Sequence, residues 1–145
     1  MKKMLKKSKG FTLVELLIVV IIIGILAGMM MLSTGGATAK AEATKIVSDM
    51  RNMKAAAIMV YADSSQTWPT AIASLDQYMD QKVSDNTNFA LDSTNGAIQY
   101  KVASLDEGIR TALGKLAASG IPLYITAGSN DVYTGGTSGV FMPFK

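Results

Sequence analysis

Phe11–Leu32 runs for twenty-two residues with a single ionisable side chain, Glu15. As an α-helix that length reaches about 33 Å, close to the hydrocarbon thickness of a bilayer. Lys2, Lys3, Lys6, Lys7 and Lys9 precede the run, and only a sparse sequence of mixed charge follows it. The positive-inside bias then places the N-terminus in the cytoplasm and the remainder outside. Glu15 is the anomaly, because a carboxylate at the head of a membrane-spanning stretch is costly and calls for a functional reason.

The junction itself reads Lys-Gly-Phe-Thr-Leu-Val-Glu over Lys9–Glu15. It resembles the N-terminus of type IV prepilins and pseudopilins, and the resemblance covers roughly the first quarter of the chain. It implies a prepilin peptidase that cuts after Gly10, where the missing side chain lets the backbone approach closely. Phe11 then becomes the first mature residue and is N-methylated, which keeps the positive charge of its amine. Glu15, fifth from the cut, is the residue that pairs with the amine of a neighbouring copy. In a low-dielectric bundle such a pair acts mostly as a register device, since desolvation consumes much of the attraction. The implied partners are the peptidase, the membrane before assembly, the pilus assembly machinery and further copies of this chain. The implied course runs from a cytoplasmic-membrane precursor to an extracellular type IV pilus serving adhesion, motility or DNA uptake. Two other readings share the topology. One is a pseudopilin of a type II secretion system. The other is a secreted binding protein released by ordinary signal peptidase after Ala39, since Ala37-Thr38-Ala39 supplies the small-residue pattern.

Composition removes several chemistries. The chain has no cysteine and no histidine, so disulfides, thiolate–imidazole catalysis and ordinary zinc sites are excluded. Many relatives staple the C-terminal loop with a disulfide, and this chain departs from them there. The formal charge is +3, but five of the fourteen basic residues lie before Phe11, leaving nine against eleven acidic ones. That balance lacks a basic nucleic-acid face, and the tyrosines form no stacking platform beside basic residues. Nucleic acid as a partner is therefore unsupported. No cofactor is expected and no catalytic constellation is present, so the chain reads as no enzyme. Asp131, with Ser129 and Asn130, is a weak candidate for calcium, but an Asx turn explains the same residues.

Gly24-Ile-Leu-Ala-Gly28 is a G-x-x-x-G pair, which lets helix backbones approach closely in an assembly. Ser33–Gly36 collects poor helix formers and is expected to bend the helix as it leaves the membrane. Beyond it, Ile46, Met50, Met53, Ala57 and Val60 or Tyr61 recur at helical spacing and predict a stripe facing a core. The expected organisation is a leader at 1–10, a membrane half-helix at 11–32, an amphipathic half-helix at 33–62 and a globular head at 63–145 folding with 37–62.

Within the head, Thr70 is expected to cap a short helix through about Tyr78, with Ala71, Leu75 and Tyr78 inward. Phe89–Leu91 reads as a weak strand and Asn95-Gly96 as a turn. Ile98, Tyr100 and Val102 alternate with Gln99 and Lys101 as a half-buried strand. Ser104–Glu107 has the spacing of a capping box for a helix through about Ala118. Leu123–Ala127 and Val132–Thr134 are expected to form a hairpin, and Val140–Phe144 a last strand after the loop Gly135–Gly139. The sum is an α+β fold of the type IV pilin kind, a long N-terminal helix packed on a small antiparallel sheet of three to five strands.

Overall fold

A computed structural model describes residues 10–136 and 139–145, with the side chains of 31–34 excepted. The leader through residue 9, and residues 137 and 138 of the loop expected at Gly135–Gly139, lie outside the described residues.

Helix α1 spans Leu13–Asp63 without interruption. The bend expected at Ser33–Gly36 does not break it. Each glycine costs about 1 kcal/mol in a helix, and propagation from strong helical sequence on either side outweighs two such costs. The chain nevertheless divides into two compact units, Met1–Gly35 and Gly36–Lys145.

In the second unit α1 supplies one wall of the core. Ile46, Met50, Met53, Ala57 and Val60 are buried as the spacing predicts, and Met50 and Met53 are wholly inaccessible. Tyr61 stays half-exposed and stacks on Trp68, their ring centroids 4.2 Å apart. Trp68 in turn leans on Phe144 at 5.4 Å.

Strands β1 (Phe89–Asp92), β2 (Ala97–Tyr100) and β3 (Val140–Pro143) form an antiparallel sheet in that order. Phe89 faces Tyr100 and Leu91 faces Ile98 across the first pair, while Ile98 faces Met142 and Tyr100 faces Val140 across the second. Ile98, Tyr100, Val140 and Met142 are buried, and Val102 continues their row beyond β2. Gln99 and Phe141 alternate to the outer face. Gly96, at φ +66°, allows the tight turn from β1 into β2. The turn is fastened by Asn95, whose N–H donates to Asp92 Oδ1 at 3.0 Å.

Three local expectations fail. The segment after Pro69 is a 3₁₀ helix over Ile72–Tyr78, with Ala71 extended at its start and no side-chain cap, so Thr70 has no capping role. Leu75 is buried as expected, but Ala71 is exposed and Ile72 packs on the core in its place. Helix α2 spans Glu107–Ala118, and its cap is Asp106, which accepts from the Gly108 N–H at 2.8 Å. The Ser104–Glu107 box cannot form because Leu105 packs on the core and the helix starts two residues later than a Ser104 cap requires. The hairpin expected at Leu123–Ala127 and Val132–Thr134 shrinks to single bridges, Tyr124 with Val132 and Tyr124 with Phe141. At one end the Leu123 N–H, which would continue this ladder to Tyr133, donates instead to the Ile121 carbonyl at 2.8 Å, and the turn at Gly128 (φ +76°) closes it at the other. The α+β architecture stands, with a sheet of three strands continued by these bridges.

Candidate processing and assembly segment

Helix α1 begins at Leu13 because Thr12 and Glu15 close its first turn. The Thr12 N–H and the Thr12 hydroxyl each donate to Glu15 Oε2 at 2.8 Å. The Glu15 N–H donates back to Thr12 Oγ1 at 3.3 Å. This reciprocal pattern is a capping box, which satisfies donors that the start of a helix leaves unpaired. The arrangement also places the carboxylate at the positive end of the helix dipole. Thr12 is the residue absent from the sequence-based expectations, although Thr-x-x-Glu carries the capping spacing. Oε1 of Glu15 makes no hydrogen bond among the described residues.

Gly10 and Phe11 precede the helix, outside regular structure, and both are exposed, Phe11 at 84 %. The Gly10–Phe11 peptide bond is thus open to a partner in this fold. From Leu13 to Met30 every large apolar side chain is at least half exposed or nearly so, on all faces of the helix. A helix apolar all round belongs in a membrane or inside an assembly. It is long and apolar enough to cross a membrane. A Cβ built at Gly24 or at Gly28 would meet no atom within 4 Å. The two glycines stand one turn apart on one side of the helix and leave a shelf there.

Asp131 is exposed in a turn where its N–H donates to Ser129 Oγ at 3.2 Å and its carbonyl accepts from Ile125 N–H at 2.9 Å. Among the described residues no three acidic side chains converge as a metal site would need. The structure thus groups Thr12 and Glu15 beside Gly10 and Phe11.

Comparison with known proteins bears on the same segment. The model of the prokaryotic N-terminal methylation motif matches residues 5–31. A fimbrial protein of Pseudomonas aeruginosa is 34 % identical over 120 residues, which cover 81 % of this chain and 75 % of the relative. The type II secretion system core protein G of Klebsiella pneumoniae is 35 % identical over 66 residues, and the match covers 46 % of each chain. The core protein G of Vibrio cholerae is 39 % identical over 88 residues, 61 % of this chain and 56 % of that one. The chain therefore spans about half the length of the core proteins G that it matches. No solved structure matches it.

Proposed function

Because the chain belongs to the type IV pilin and pseudopilin family, we propose that it is a pilus subunit, cut after Gly10, N-methylated at Phe11 and polymerised. The observation that carries the pilus reading is the reach of the likeness. The fimbrial relative matches across most of both chains, whereas the secretion core proteins match over about half to three-fifths of them. In this reading the exposed Gly10–Phe11 bond is presented to a prepilin peptidase while the apolar half of α1 holds the precursor in the membrane. On assembly that apolar surface, with the shelf at Gly24 and Gly28, passes from lipid to the helices of neighbouring copies. Such a subunit performs no chemistry of its own, and its relatives are named as a fimbrial protein and as secretion-system core proteins.

The capping box suggests how Glu15 is tolerated in both settings. Two Thr12 donors on Oε2 offset part of the cost of carrying a carboxylate into lipid. Oε1 remains for the methylated amine of a docking neighbour. Release by ordinary signal peptidase after Ala39 gains no support. Ala37–Ala39 lies inside α1 rather than in an extended segment, and Ala39 packs against the core.

Mass spectrometry of purified filaments tests the processing step, and the mature chain should begin at methylated Phe11. A chain beginning at Lys40 overturns the proposal. Glu15→Leu tests assembly. The variant should be inserted and cut normally but enter filaments poorly. It leaves a neighbour's amine unpaired at every joint, at about 3–5 kcal/mol each. Normal filaments built from Glu15→Leu alone would refute the pairing role.

A further inference from the structure

Asn95 is the one asparagine followed by glycine, and the other four precede Met53, Thr87, Phe89 and Asp131. That pair is chemically distinct, because glycine puts no side chain in the way of its own nitrogen. The Gly96 nitrogen can attack the side-chain carbonyl carbon of Asn95 and close a cyclic imide. The Gly96 proton and the amide nitrogen leave together as ammonia. Water then opens the ring at either carbonyl, giving aspartate by one cut and isoaspartate by the other. Asn95 is exposed, and the Gly96 N–H makes no hydrogen bond among the described residues. The nucleophile is therefore uncommitted and the amide is within reach of water.

The amide itself is clamped. Both oxygens of the Asp92 carboxylate face Asn95, Oδ1 accepting from its backbone N–H at 3.0 Å and Oδ2 from its Nδ2 at 3.0 Å. The two oxygens of one carboxylate lie close together. The side-chain amide is thus folded back beside the N–H of residue 95, away from the Gly96 nitrogen that follows it. Oδ1 of Asn95 is lodged against the opposite loop, 3.2 Å from where a Cβ of Gly128 would stand. Turning the amide onto Gly96 breaks a charge-assisted hydrogen bond. The bonds from Asn95, its side chain first, hold the Asp92 carboxyl below the usual carboxylate range, and Lys145 adds to the effect. Asp92 is then ionised at neutral pH and has no proton to give a departing ammonia.

We propose that Asn95 is a latent modification site, converted to aspartate and isoaspartate by this route, and that Asp92 holds the conversion back while the head is folded. Conversion unmakes the clamp. Aspartate removes the Nδ2 donor and sets a second carboxylate against Asp92, while isoaspartate adds a carbon to the backbone of the turn between β1 and β2. The Gly96 carbonyl accepts from the Phe144 N–H at 2.9 Å. The disturbance therefore reaches the ring that leans on Trp68. Each converted chain also gains one negative charge.

Tandem mass spectrometry of the tryptic peptide 83–101, which contains Asn95, follows the conversion in the full chain, held in detergent micelles at mildly alkaline pH. The parent should convert about tenfold more slowly folded than in urea, the least that one hydrogen bond to a charged group is worth. Asp92→Ser keeps an oxygen for the Asn95 N–H but none for Nδ2, so without urea it should convert at close to the rate in urea. Its unfolded fraction, read from Trp68 fluorescence, separates release of the amide from unfolding. An acceleration no larger than that fraction accounts for overturns the role of Asp92. Lys145→Ala uncovers Gly96, against which the Lys145 stem packs, and leaves the clamp in place. It should convert as slowly as the parent, and conversion as fast as in Asp92→Ser would make cover over Gly96 the brake and overturn the proposal. So would an Asn95 that stays intact in urea, or a folded parent that converts as fast as the unfolded one.

Discussion

Gly114 sits in the middle of α2, where the sequence alone recommends alanine. In a helix interior the exchange is worth about 0.8–1.0 kcal/mol in favour of alanine. The structure reverses the sign. A Cβ at Gly114 would stand 2.8 Å from the carbonyl carbon of Thr134, 3.0 Å from its oxygen and 3.1 Å from Gly135 N. All three are backbone atoms and cannot swing aside. The segment is also tied down, since Tyr133 is buried and its hydroxyl donates to the Gly136 carbonyl at 2.6 Å. Forcing a methyl into a packed site costs about 1–3 kcal/mol. Set against the propensity gain, Gly114→Ala should lose about 1 kcal/mol. Urea unfolding of the full-length protein in detergent, followed by the fluorescence of the single tryptophan, Trp68, measures it. The midpoint should fall with the slope unchanged. Gly108→Ala is the control, because its Cβ would meet only side-chain atoms, Asp106 Oδ1 at 3.3 Å and Ala39 Cβ at 3.4 Å. That change should be close to neutral. If Gly114→Ala instead gains about 1 kcal/mol, the 134–135 backbone yields freely and close packing does not position α2.

Gln66 holds φ +63° beside Ser65 at +52°, a left-handed pair just after α1, and Gln66→Gly should raise the unfolding free energy by about 0.5 kcal/mol once glycine's unfolded-state entropy is deducted; a loss in the same urea assay would contradict this. The Ser84 hydroxyl, and then the Ser84 and Val83 N–H groups, donate to the Asp76 carboxylate and hold its pKa below the usual range. A depressed folded-state pKa adds stability above the ordinary carboxylate value of about 4, and that stability is lost as pH falls through the folded value. Asp76→Asn should therefore flatten the acid side of the stability–pH profile, and parallel profiles for parent and variant would exclude Asp76 as a contributor.

The elements that long-range pattern specifies were legible in the residues. The stripe from Ile46 to Val60 repeats at helical spacing, and every member reaches the core. The alternation Ile98, Tyr100, Val102 names the buried face of β2 correctly. What sequence did not resolve were choices between near-equal local options. Ser104 and Asp106 are both good caps, and the packing of Leu105 decides between them. Thr70 could open a helix, but the seven residues after Ala71 wind into a 3₁₀ form instead, with Ser74 N–H bonded to the Ala71 carbonyl at 3.2 Å. In the N-terminal segment Gly10, Phe11 and Glu15 stand out because a charge in an apolar run is visible at once. Thr12 does not, because a threonine there costs nothing that calls for explanation.

The placement of β3 has a consequence for how the chain comes into being. Val140–Pro143 completes the sheet against β2, and Phe144 closes the aromatic stack on Trp68. A chain delivered N-terminus first therefore holds α1 early but cannot complete the core around its stripe until residue 144 arrives. Until then the core that holds Met50 and Met53 lacks Val140, Met142 and Phe144, and quality-control proteases have their opening. The head matures in one late step, and a truncation that removes only β3 should be cleared from the cell like a chain that never folded.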